Sequence, residues 1–133
     1  MNWIVTYMKG IMLVTGLLTC TIFYAALAPD TILRSIFGDT LQGPVAEVVV
    51  RHWGALIGLM GAMLVYGAFN TAARPLVLTV AGLNKLAFLA FILLFGRPFL
   101  GQKAGVAVIS DLVQVALFAA YLIAARRPQH AAA

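Results

Sequence analysis

The sequence predicts an all-α integral membrane protein: an antiparallel four-helix bundle with a short amphipathic helix between the first two spanning helices. Hydrophobic residues make up 63% of the 133 positions. Charged residues make up 10%, where soluble domains carry about 25%. Mean hydropathy is +1.01. The apolar residues fall into four runs of about 20 to 26 residues, each able to cross a hydrocarbon layer of about 30 Å. Backbone polar groups must be satisfied inside such a segment, which selects helices, and the short alternating strands of a β-barrel are absent.

The first run extends from about Thr6 to Ala28 and stops at Pro29-Asp30, a strong helix terminator. It lacks a convincing small-residue cleavage site and is expected to stay as a membrane helix. In the following segment Ile32, Leu33, Ile36, Phe37 and Leu41 form a rough helical stripe. Asp30, Arg34 and Asp39 fall off that stripe, which predicts an amphipathic helix on the membrane surface. Gly43-Pro44 turns the chain into the second run, which reaches about Asn70, with Pro44 suited to a first helical turn. The third run starts near Arg74-Pro75 and ends at Phe95-Gly96. The fourth extends from about Gly105 to just before Arg126-Arg127-Pro128. The links between the second and third runs and between the third and fourth are short, which favours antiparallel neighbours. One transmembrane domain over residues 1–128 is expected, with 129–133 as a loose tail.

Charge sets the expected orientation. The net charge of +5 comes from nine Lys and Arg against four acids. No basic stripe runs along a helix face, so nucleic acid is excluded as a partner. One end of the bundle collects Lys9, Arg74, Arg126 and Arg127 without acids. The other collects Arg34, Arg97 and Lys103 together with Asp30 and Asp39. The positive-inside rule places both termini in the cytoplasm, in a bacterial inner membrane.

Ionisable residues inside the runs are the functional lead, because each is costly in hydrocarbon and such groups face a bundle interior or a polar cavity. Arg51 lies roughly 10 Å into the second helix, Lys85 roughly 15 Å from the end of the third, and Asp111 roughly 12 Å into the fourth, at 1.5 Å per residue. Antiparallel topology then brings Glu47, Arg51, His52, Asn84, Lys85, Asp111 and Gln114 to one level. Expected pairs are Asp111 with Lys85 or Arg51, and Glu47 with Arg51, since a buried charge needs a partner. A polar lock that only fixes helix register is the competing reading. His52 points about 100° away from Arg51, toward another subunit or a proton-handling role. Trp53 is a candidate cavity-lining residue, and Tyr24 a candidate roof or interfacial anchor.

Gly54, Gly58 and Gly61 are spaced for close approach of another helix, within the bundle or between subunits. The single Cys20 excludes an internal disulfide and reads as a small buried hydrophobe. Metal-ligand spacings, phosphate-binding glycine loops and dinucleotide fingerprints are absent, so no metal is expected.

The stretch from Glu47 to Gly67, EVVVRHWGALIGLMGAMLVYG, followed by the Arg74-Pro75 turn, resembles the DoxX-like group of small bacterial four-helix membrane proteins. The resemblance extends to the first helix, the amphipathic linker and the polar turn into the second. It implies association with quinone-linked sulfur oxidation or membrane redox complexes. The chain departs from a thiol-redox pattern in having Cys20 alone.

The expected function is a membrane binding or accessory protein. It would hold a small amphiphile such as a quinone or lipid in an intramembrane polar site, as an oligomer or a subunit of a larger complex. The alternatives are a membrane enzyme and a small dimeric transporter or channel. The enzyme would be an isomerase or quinone-linked oxidoreductase using Asp111 as acid or base with Arg51 or Lys85.

Overall fold

A computed structural model describes residues 2–132, and the side chains of residues 3–125. Four helical stretches are long and apolar enough to cross a membrane: Trp3–Leu27, Pro44–Phe69, Arg74–Phe95 and Lys103–Ala125. No β-strand occurs among the described residues. The side chains of Arg126 to Ala133, including the expected tail, lie outside the described residues.

The first span is built from α1 (Asn2–Cys20), a 3-10 turn (Thr21–Phe23) and α2 (Tyr24–Leu27). Its threonines bond back to their own helix. The Thr15 hydroxyl donates to the Ile11 carbonyl at 2.8 Å, Thr19 to Thr15 at 2.7 Å and Thr21 to Leu18 at 2.5 Å. Such back-bonding bends helices, and the 3-10 turn follows directly. Ala28 leaves helical geometry, and Pro29 opens α3 (Pro29–Phe37). Gly38 at φ +72° closes α3, its N–H donating to the Arg34 carbonyl at 3.0 Å. Gly43 at φ +101° then turns the chain into α4 (Pro44–Phe69). Both glycines hold a left-handed backbone that a side chain would strain.

The amphipathic α3 does not present its apolar face to free lipid. Leu33 is buried against Ala25 and Val50. Ile36 and Phe37 pack on Leu89, Ile92, Ala104 and Val108. Phe37 meets Phe99 edge to face at 5.4 Å. Lys103 Nζ donates to Ser35 Oγ at 3.2 Å. The helix therefore covers one end of the bundle.

A tight turn joins α4 to α5 (Arg74–Phe95), held by the Ala73 N–H donating to Asn70 Oδ1 at 3.2 Å. A 3-10 turn (Arg97–Gly101) leads to α6 (Lys103–Ala132). Around the bundle, α4 packs on the first span and on α5, and α6 packs on α5 and α1. Each span thus lies beside its sequence neighbours, with the fourth closing against the first.

Glycines bring the first span and α4 together. A Cβ on Gly61 would stand 2.5 Å from the Cys20 nitrogen and 2.6 Å from the Gly16 oxygen. One on Gly16 would stand 2.9 Å from the Gly61 oxygen, so the closest approach is reciprocal. Gly58 receives the ring of Phe23, and Gly54 receives Ala25. These contacts lie inside the bundle. Because backbone cannot move aside as a flexible side chain can, Gly61→Val is expected to cost about 3 kcal/mol, the upper part of the range for overpacking. Unfolding titration in mixed micelles checks this; an unchanged midpoint would contradict the packing.

The apolar core is split. Near the termini, Met8, Met12, Leu64, Leu78 and Phe118 are fully buried within one cluster. Beneath α3, Leu89, Ile92, Ala104 and Val108 form another. Between the two clusters lies a layer that carries polar side chains.

Candidate intramembrane polar site

Lys85 and Asp111 occupy that layer. Lys85 continues the inward face that starts with Val77, Leu78 and Ala81, so α5 carries its ammonium group into the bundle. Its Nζ donates to Asp111 Oδ1 at 2.9 Å, and the two side chains retain only 9% and 16% exposure. Gln114 is one turn beyond Asp111 and is also buried. Its Nε2 donates to Ser110 Oγ at 2.9 Å. Its Oε1 is buried with no hydrogen-bond partner. A buried, unpaired polar atom costs about 1–3 kcal/mol.

These groups line a cavity of about 410 Å³ between the four spans, within the range of about 300–1,000 Å³ that suits small-molecule sites. Asn84 lines it as well. Trp53, Ile57, Phe88 and Phe91 supply apolar and aromatic walls, and Ile36 of α3 reaches its upper side. Ala87 and Phe91 are exposed, so the cavity has a rim at the bundle surface. One oriented polar cluster on an otherwise apolar wall can hold the head group of an amphiphile while its chain leaves toward lipid.

The structure brings Asn84, Lys85, Asp111 and Gln114 together but separates the other expected members. Arg51 pairs with Glu47 at 2.7 Å. It also donates from Nη1 to the Ala26 carbonyl at 2.6 Å and to Leu27 at 3.4 Å. It therefore caps the end of the first span, where helix carbonyls lack partners. Glu47 and Arg51 border a different cavity of about 530 Å³, beside Asp30 of α3 and Gln42 of the loop before α4. The residues of α4 at the central cavity are Trp53 and Ile57, two and six positions further and thus roughly 3 and 9 Å deeper at 1.5 Å per residue. The single layer expected from depth therefore resolves into two levels. Counting residues from the loops assumed equal insertion, but α4 has 26 residues and α5 has 22.

His52 is exposed on the outer face of α4. Tyr24 is half exposed and does not line the central cavity. Cys20 is partly buried, its Sγ 3.7 Å from the Gly58 carbonyl oxygen. No family model matches the chain, and no curated protein or solved structure matches it. Among the described residues, no three His, Cys, Asp or Glu side chains group closely enough to hold a metal ion.

Sequence reasoning missed three polar contributors. Ser110 and Thr19 line the cavity; Ser110 was legible as the position four before Gln114 on the same face. Arg74, read from sequence as a charge at the start of the third helix that orients the bundle, is buried. Its Nε donates to the Gly67 carbonyl at 3.1 Å and its Nη2 to Ala68 at 2.9 Å. Its guanidinium lies over the Tyr121 ring at 5.6 Å. The available signal was an Arg just past a helix end, able to bond the last carbonyls.

Proposed function

We propose that this protein is a membrane binding or accessory protein that holds a small amphiphile, such as a quinone or a lipid, in the cavity bordered by Lys85, Asp111 and Gln114. The observation that carries the reading is the unpartnered Gln114 Oε1, buried beside a charged pair that lines an open cavity. A pure register lock has no use for that space: its polar groups would be packed against one another, because an unfilled polar site forfeits hydrogen bonds. A head group seated there supplies the missing partner, and the aromatic wall covers the first carbons of its chain.

The test is extraction of the purified protein. About one amphiphile per chain is expected in the organic extract, and Ala107→Phe, which fills the cavity from α6, is expected to lose it while the helix content stays constant. Equal retention by both proteins would contradict the reading.

The oligomeric part of the proposal is supported by His52. Its side chain sits on an exposed stripe with Val45, Val48, Val49, Leu56 and Leu59. An imidazole at that depth calls for a hydrogen-bonding neighbour, and a second copy carries the same ring. With Cys20→Ala removing the only native thiol, His52→Cys is expected to form a disulfide-linked dimer under mild oxidation. A monomer alone would contradict it.

A bacterial inner membrane with cytoplasmic termini is proposed from the cations at the termini end and the mixed charges at the α3 end. The DoxX-like layout supports the same setting without assigning a reaction.

A further inference from the structure

Building on the amphiphile-binding reading, we infer that the site selects an uncharged head group bearing a hydroxyl, in preference to an anionic or a cationic one. The inference rests on charge balance and on unused hydrogen-bonding capacity.

Among the described residues, Lys85 and Asp111 are the only charged side chains lining the cavity, and they are bonded to each other at 2.9 Å. The site is therefore electrically balanced. An ionised head group entering it would leave water and add an uncompensated charge, which low-polarity surroundings penalise heavily. The Glu47–Arg51 pair lies at the other cavity and supplies no counter-charge here.

The remaining capacity is of both kinds. Gln114 Oε1 accepts and lacks a donor. Lys85 Nζ bonds one carboxylate oxygen and has further N–H groups to offer. A hydroxyl donates one bond and accepts others, so it has the capacity to serve both an amide oxygen and an ammonium group. It also fits either orientation of the Gln114 amide, whose oxygen and nitrogen can exchange places while Ser110 rotates to suit. In the orientation the structure shows, with Nε2 donating to Ser110 Oγ, an ether or carbonyl head can accept but cannot give Gln114 Oε1 its missing donor.

The test uses four photoreactive probes with the same sixteen-carbon chain and a diazirine near the head: hexadecanol, its methyl ether, hexadecylsulfonate and hexadecylammonium. Each is crosslinked to the full chain in lipid nanodiscs, with and without excess unlabelled competitor, and the labelled peptides are mapped. The alcohol is expected to label α5 and α6 peptides around the cavity displaceably, at concentrations roughly tenfold lower than the ether and lower still than the charged probes. Gln114→Leu is expected to weaken labelling by the alcohol roughly tenfold. Asp111→Asn, which leaves Lys85 unbalanced, is expected to turn the preference toward the sulfonate. Equal displaceable labelling by all four probes would overturn the head-group inference and leave the amphiphile site standing. Preference of the unaltered protein for either charged probe would overturn it too. Absence of displaceable labelling by every probe would overturn both readings.

Discussion

Lys85→Met alone, or Asp111→Leu alone, is expected to destabilise the bundle by about 3–5 kcal/mol, while the double substitution restores most of that loss. Each single change strands a charge whose partner stood 2.9 Å away between two apolar clusters. The double change removes both desolvation costs and leaves apolar side chains of similar size. Unfolding titrations of the four proteins in mixed micelles give the coupling energy directly. Additive losses, with the double variant weaker than either single one, would show that the pair is not the stabilising unit. Stability recovered by the double variant together with loss of the bound amphiphile would separate what the pair does for the fold from what it does for the ligand.

Arg74→Met is expected to cost about 3 kcal/mol, because it removes two charge-assisted bonds to buried carbonyls, each worth about 1.5–3 kcal/mol. The carbonyls of Gly67 and Ala68 end α4 and have no onward helical partners. Arg74→Lys keeps the charge but lacks the planar fork that reaches both oxygens while lying over Tyr121. It is expected to recover less than half of the loss. A midpoint for Arg74→Met within about 1 kcal/mol of the parent, below the worth of even one such bond, would mean the cap is dispensable.

How legible this molecule is from its residues depends on the kind of interaction. The four spans and the covering helix were legible because apolar runs of that length have one backbone solution in hydrocarbon, and because Pro29, Gly38, Gly43 and Pro44 punctuate the linker. The Lys85–Asp111 pair was legible too, since antiparallel α5 and α6 put the two residues at one depth. What depth counting did not resolve was register across the bundle. Gly16 meeting Gly61, and Gly54 meeting Ala25, fix how α4 slides along the first span. That register puts Arg51 at the first span's end and Trp53 and Ile57 at the cavity. Such register is set by tertiary fit, which a pattern along one helix does not encode. Arg74 escaped for a related reason: its charge counted only toward orientation, whereas its bonds depend on where the preceding helix stops.

What occupies the cavity around Gln114 decides between an amphiphile site and a polar lock. A structure of the protein in lipid nanodiscs, determined at a resolution that separates a bound head group from side chains, tests this most directly. Density is expected in contact with Gln114 Oε1 and Lys85 Nζ, with a chain passing Phe88 and Phe91 toward the bundle rim. A closed cavity, with Gln114 Oε1 bonded to a protein donor and Lys85 and Asp111 packed dry against their neighbours, would contradict it and leave a polar lock in its place.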